Sequence, residues 1–160
     1  MLVGGSAVAI YFDLIRFREL FLNPLYHLLT LPFGILLTVA AFRAAAAGGR
    51  ELARGGRESE NLPRLETDTL VTTGIYAHMR HPMLFGLSLV PLALALVIGS
   101  PTFILIIAPL EMIFIVVMVL TLEEAECRKK FGDAYDDYAR KVPAVCFKKE
   151  CLKRLFLKNR

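Results

Sequence analysis

Between Pro82 and Arg128 the chain carries no lysine and no arginine, and between Pro82 and Glu123 it carries one acidic residue, Glu111. A stretch so poor in charge excludes a water-washed surface and marks these residues for burial in lipid. Also missing is a G-x-G-x-x-G spacing behind a strand-like run, so the glycine-rich region 48–67 reads as a solvated linker, not a phosphate cradle. Cysteine is scarce and odd in number, at Cys127, Cys146 and Cys151. That count argues against a disulfide framework, and Cys146-x4-Cys151 is not a zinc spacing. Three free thiols beside a membrane are expected, open to palmitoylation, with no metal site. Histidine is limited to His27, His78 and His81. A haem pair needs two histidines deep in neighbouring helices, and only His27 is near a candidate span. The apolar run 2–15 contains Asp13 and lacks the basic flank and cleavage site of a signal peptide. It reads as a short tilted span or an interfacial helix.

What is present is apolar length. Hydrophobic residues fill 56% of 160 positions, with a mean hydropathy of +0.54, outside the range of ordinary soluble domains. Residues 25–47 make a run of 23, residues 83–98 an uncharged run of 16, and residues 102–122 a run of 21. A helix rises about 1.5 Å per residue, so about 20 residues cross a hydrocarbon core of about 30 Å. The first and third runs suffice, and the second does so if residues 80–82 snorkel to the interface. The predicted fold is all-α. One multi-pass membrane domain covers 1–160, with three to four transmembrane helices and a tight hairpin through Gly99-Ser100-Pro101.

Charge sets the faces. Of 19 Lys and Arg, five lie within 48–80, eleven lie from Arg128 onward, and none lies in the hairpin turn. The positive-inside rule places the 48–80 loop and the C-terminal tail in the cytoplasm. The net charge of +4 then reflects topology and anionic headgroups, and it requires no nucleic acid.

Local signals punctuate this plan. Leu62-Pro63 marks a return to ordered structure after the linker. Gly74, following Thr72-Thr73, suits a turn conformation that other residues resist, and Pro82 suits the first turn of a helix. Residues 123–140 read as an amphipathic helix broken at Phe131-Gly132. The basic segment 151–160, with Leu152, Leu155, Phe156 and Leu157, reads as a helix lying on a membrane surface.

Two polar clusters frame the hairpin, Arg80-His81-Pro82 at one end and Glu123-Glu124-x-Glu126 at the other. The plainer interpretation of the first is an interfacial anchor before a helix-starting proline. With Tyr76 and Gly74 beside it, it also reads as a prepared surface. Arg80 can fork onto a carboxylate, and His81 can donate to a ligand oxygen or accept a proton. For Glu123 and Glu124 the plain interpretation is an exposed helix end, with Glu124 paired to Arg128 one turn on. A ligand role is favoured because a three-residue turn returns both clusters to one face. Glu111, near the middle of its run, is either a hydrogen-bonded intramembrane carboxyl or a catalytic group. Tyr135 and Tyr138, taken alone, are headgroup-level tyrosines.

Together these pieces resemble the integral-membrane methyltransferases that include isoprenylcysteine carboxyl methyltransferase and the phospholipid methyltransferases. The resemblance rests on Thr72-Thr73-Gly74-Ile75-Tyr76, Arg80-His81-Pro82, Glu123-Glu124, Phe131-Gly132, Tyr135, Tyr138 and Val142-Pro143, in that order, and covers about residues 65–143. It departs from the family pattern at Ala144, where an arginine commonly follows Val-Pro, and at Phe85, which stands in for an aromatic near the Arg-His-Pro triplet.

The resemblance implies S-adenosylmethionine as cofactor and a lipid or lipidated acceptor at the cytoplasmic interface, with the carboxylate of a prenylated cysteine favoured over an amine. Carried over from it, Tyr76, His81, Pro82, Glu123 and Glu124 become cofactor contacts; beside them Gly74, Tyr135 and Tyr138 are further cofactor-binding candidates, and Arg80, His81 and Glu111 are the catalytic candidates. Alternatives are an NADPH-dependent membrane reductase of the same superfamily, or a non-enzymatic scaffold or transporter using Glu111.

Overall fold

The computed structural model describes residues 2–58 and 67–156. The Leu62-Pro63 junction and Leu157 lie outside the described residues, as does the side chain of Phe156. Among the described residues there is no strand. The helices are α1 (Leu2–Arg16), α2 (Arg18–Phe21), α3 (Pro24–Gly55), α4 (Pro82–Ser88), α5 (Val90–Ile98), α6 (Ala108–Met118), α7 (Glu124–Phe131), α8 (Asp133–Lys141) and α9 (Lys149–Phe156). A 3-10 turn, Gly74–Ala77, precedes α4, and the π segments Phe103–Ile107 and Val119–Glu123 flank α6.

Two helical runs, Pro24–Gly55 and Phe103–Phe131, are long and apolar enough to cross a membrane, and Pro82–Ile98 is a shorter apolar helix. Only 11% and 22% of their apolar windows are buried, respectively, whereas the core helix of a soluble protein is mostly covered. Leu28, Phe33, Leu36, Leu110 and Ile113 stand exposed along them. Lipid is the surrounding in which such faces are stable.

Composition misplaces the start of the linker. The helix α3 continues through Gly48-Gly49 to Gly55, and packing explains the glycine at 48. A Cβ there would stand 2.8 Å from the backbone nitrogen of Met83 and 3.1 Å from the ring of Pro82, so only glycine lets α4 approach this closely. The run 83–98 is likewise two helices. Pro91 has no N–H to offer the carbonyl four residues back, and the helix restarts at Val90.

By its packing the chain forms two compact units, Met1–Phe42 with Leu87–Val117, and Arg43–Gly86 with Met118–Arg160. In the first, Ala9 of α1 is buried with Ala95, Phe103 and Ala108. Asp13, fully buried, accepts hydrogen bonds from the hydroxyls of Ser100 and Thr102 and, at 3.1 Å, from the Thr102 backbone N–H. The run 2–15 is therefore a helix whose polar residue is satisfied by the hairpin turn. Gly99 adopts φ 67° in that turn, and its N–H reaches the carbonyl of Ala95.

In the second unit, Ala44 and Ala47 of α3, Val71, Ile75 and Tyr76, Met79, and Cys146, Cys151 and Leu155 close one core. Two sequence expectations change here. Cys146 and Cys151 form a disulfide, and Cys127 is the free thiol among the described residues. Counting cysteines could not reveal that the chain turns back within five residues and seats both in one apolar core. The described part of the apolar face of α9 packs into the protein. Cys151 and Leu155 on that face are buried in the protein.

Candidate functional site

The second unit builds its polar site from three chain segments. Gly74 holds φ 59°, which lets the chain enter the 3-10 turn that carries Tyr76. Pro82 opens α4 as expected, and its predecessors Arg80 and His81 are fixed by their backbone. The N–H of Arg80 donates to the carbonyl of Pro143 at 3.0 Å, and that of His81 to Ala144 at 3.1 Å. The Val142-Pro143 segment thus lies alongside the Arg-His-Pro triplet. From below, the Tyr138 hydroxyl donates to the Tyr76 carbonyl at 2.6 Å.

Glu124 is the hub. Its Oε1 accepts from Arg80 Nε at 3.1 Å, from Arg80 Nη2, and from His81 Nε2 at 3.2 Å. Its Oε2 accepts from Arg128 at 3.1 Å. The expected Glu124–Arg128 pair is present, but Glu124 is not an exposed helix end; its side chain is 6% exposed. The remaining guanidinium nitrogen of Arg80 donates to the carbonyls of Ala139, at 3.0 Å, and Val142. Arg80 therefore ties α7, the end of α8 and the chain beyond it into one piece. Its pKa stays above the ordinary value: burial opposes this, and hydrogen bonding and the charge of Glu124 outweigh burial.

His81 is held below its usual 6.5 by burial, with Arg80 adding to the depression and Glu124 opposing it. The ring is neutral near pH 7. A carboxylate only accepts, so the ring proton belongs on Nε2, facing Glu124. The Nδ1 lone pair is left 3.7 Å from Glu123. Glu123 is half-exposed, at the edge of the site.

These groups border an open-mouthed pocket of about 640 Å³, mouth included. Of the predicted site residues, Tyr76, Arg80, His81, Glu123, Tyr135 and Tyr138 line it. Gly74, Pro82 and Glu124 support it from behind. Glu111 lies in the first unit, buried, with its Oε1 against Gly5. Tyr135 is 2% exposed, and its hydroxyl is sealed from water without a hydrogen-bond partner. Arg80 and Cys127 stand near that hydroxyl without a bond of normal geometry. Burial, then the neighbouring Cys127 and Glu124, push its pKa up to about 12. Burial likewise raises Tyr76 and Tyr138, so all three phenols are neutral.

Cys127 and Phe131 also line the pocket; the sequence marked one as a free thiol and the other as a helix break within the family motif, and neither as a site residue. Their signal was available in the i, i+4, i+8 spacing Glu123–Cys127–Phe131, which puts all three on one helix face. Leu52, Thr67 and Thr69 line it as well, and no local pattern marks them.

Comparison with known proteins identifies a family. The family model of the phospholipid methyltransferases matches residues 26–134. The protein-S-isoprenylcysteine O-methyltransferase of Schizosaccharomyces pombe is 28% identical over 148 residues, covering 90% of this chain and 60% of that protein. The chain thus spans about three fifths of the length of this curated relative. No solved structure matches the chain.

Proposed function

The chain belongs to the phospholipid methyltransferase family, and we propose that it transfers a methyl group from S-adenosylmethionine to the carboxylate of a prenylated cysteine at the cytoplasmic membrane surface. One observation carries this reading: a single pocket is lined by the neutral imidazole of His81, the half-exposed carboxylate of Glu123 and the phenol of Tyr135, whose buried hydroxyl makes no hydrogen bond of good geometry within the protein. A buried donor so poorly bonded is costly unless a ligand completes it.

The residues suit the cofactor. Tyr76 and Tyr138 offer aromatic surface, Tyr135 a hydroxyl donor, and Glu123 a carboxylate for ribose hydroxyls or for a cationic centre. When bound, the cofactor supplies a methyl group on a positively charged sulfonium. Glu123 favours positive charge at the mouth, while Arg80 and Glu124 keep the wall in register. A carboxylate acceptor is already ionised near neutral pH, so the protein has no proton to remove, and orientation provides much of the acceleration. The resemblance to a prenylcysteine methyltransferase supports this choice of acceptor.

A second reading, methylation of a phospholipid amine, draws on His81. Its neutral ring turns an unprotonated Nδ1 toward Glu123, as a general base requires.

Membranes bearing the protein, incubated with methyl-labelled cofactor, separate the two. A methyl ester releases volatile methanol in base, and an N-methylated headgroup does not. Calorimetry with S-adenosylhomocysteine tests the shared premise, and absence of binding over a wide concentration range removes it. Binding of NADPH in the same preparation would point instead to a reductase.

A further inference from the structure

With the apolar face of α9 turned into the protein, charge is what the helix leaves outside. Lys149, Lys153 and Arg154 are exposed, as is Lys148 just before the helix. None of the four is in an ion pair among the described residues. Ordinarily such residues would be a solvated surface, but beside them stands Phe147, 74% exposed. It is the one large apolar side chain left exposed after Leu122 among the described residues.

The position of Phe147 in the fold is informative. Its ring meets Phe85 edge-on, with centroids 5.6 Å apart, and Phe85 sits in the first turn of α4, where the apolar run Pro82–Ile98 begins. The start of an apolar membrane helix is the level at which headgroups meet hydrocarbon, and aromatic rings concentrate there. Phe147 is therefore held at that level by a neighbour whose own depth the helix sets. Lys148 and Lys149 follow it directly in the chain, and Lys153 and Arg154 lie one turn further along α9.

We propose that Phe147 with Lys148, Lys149, Lys153 and Arg154 is a docking surface for anionic phospholipid headgroups. The ring sits in the interface and the cations lie on the headgroups around it. Each cation close to an anionic leaflet contributes roughly a fivefold preference for it, and raised salt weakens that attraction by screening. This surface shares no residue with the pocket, so it stands whether or not the methyl-transfer reading does.

The chain contains no tryptophan, so Phe147→Trp provides a single emitter at the position in question. The full chain carrying this substitution is reconstituted into bilayers in which a fixed mole fraction of lipid carries brominated acyl chains, supplied either as phosphatidylcholine or as phosphatidylserine. The expected result is a blue-shifted emission that brominated lipid quenches, with quenching increased several-fold by phosphatidylserine and reversed by salt. Adding Gln at the four cations should abolish the response to phosphatidylserine, while Lys129→Gln with Lys141→Gln should leave it intact. Emission of a water-exposed indole, unquenched in both bilayers, overturns the proposal. So does quenching indifferent to phosphatidylserine and to the four substitutions. The disulfide Cys146–Cys151 and an unchanged melting profile verify that each variant is folded.

Discussion

Arg80 and Glu124 lie forty-four positions apart, and one carboxylate oxygen of Glu124 serves both Arg80 and the adjacent His81. Both members of the ion pair are nearly sealed, at 11% and 6% side-chain exposure. Removing one member of a buried pair leaves the other uncompensated, which costs about 3–5 kcal/mol. Glu124→Gln is therefore expected to lower the melting temperature markedly in detergent. Arg80→Lys should fare little better, because an ammonium cannot fork onto Glu124 and also reach the carbonyls of Ala139 and Val142. A melting profile identical to the parent in either variant would show that this pair is not the staple.

Tyr135→Phe separates ligand binding from folding. The hydroxyl makes no hydrogen bond of good geometry in the protein, with Arg80 and Cys127 as near neighbours, so its loss should change thermal stability little. If it completes a hydrogen bond to bound S-adenosylhomocysteine, affinity should drop by about two- to tenfold, matching about 0.5–1.5 kcal/mol. Calorimetry and melting on one preparation decide between a binding group and an inert one.

Acid should loosen the unit that contains His81. Its folded pKa lies below the unfolded 6.5, so the unfolded chain takes up a proton first as pH falls. The contribution of neutral His81 is complete above pH 6.5 and is lost as pH drops from there through the depressed folded pKa. Melting temperature should decline over that window in the parent. In His81→Gln the decline should be shallower, and equal slopes would remove His81 as the source.

Reduction of Cys146–Cys151 should free α9. The bridge closes a loop of five-residue separation, and a loop that short constrains the unfolded chain by on the order of 2 kcal/mol. With dithiothreitol, or in Cys146→Ala, trypsin is expected to cut at Lys153 and Arg154 sooner than in the oxidised parent. Cys127→Ala should behave like the parent. Cleavage rates insensitive to reductant would contradict the clasp.

Features with a local cause were legible in the sequence. Gly74 takes the positive φ expected of it, Pro82 starts its helix, and the helix pattern breaks at Phe131-Gly132. The Arg-His-Pro and Glu-Glu clusters meet, as the three-residue turn implied. What escaped depends on partners distant in sequence. Gly48 looked like linker because nothing near it announces that Met83 must pack there. The periodicity of α9 identified an apolar face without saying that Ile75 and Met79 would cover it. Tyr135, which taken alone looked like a headgroup tyrosine and was a site candidate through the resemblance, is buried in the pocket wall.

The knot at Asp13 bears on how the protein is made. This carboxyl belongs to α1, yet the groups that satisfy it lie at Ser100 and Thr102, eighty-seven and eighty-nine residues later. Until the hairpin turn exists, hydrocarbon offers Asp13 nothing to replace water. The hydrogen bonds that satisfy Asp13 therefore form only once the turn carrying Ser100 and Thr102 has been made. In this unit an early helix completes its polar contacts only with a segment made much later.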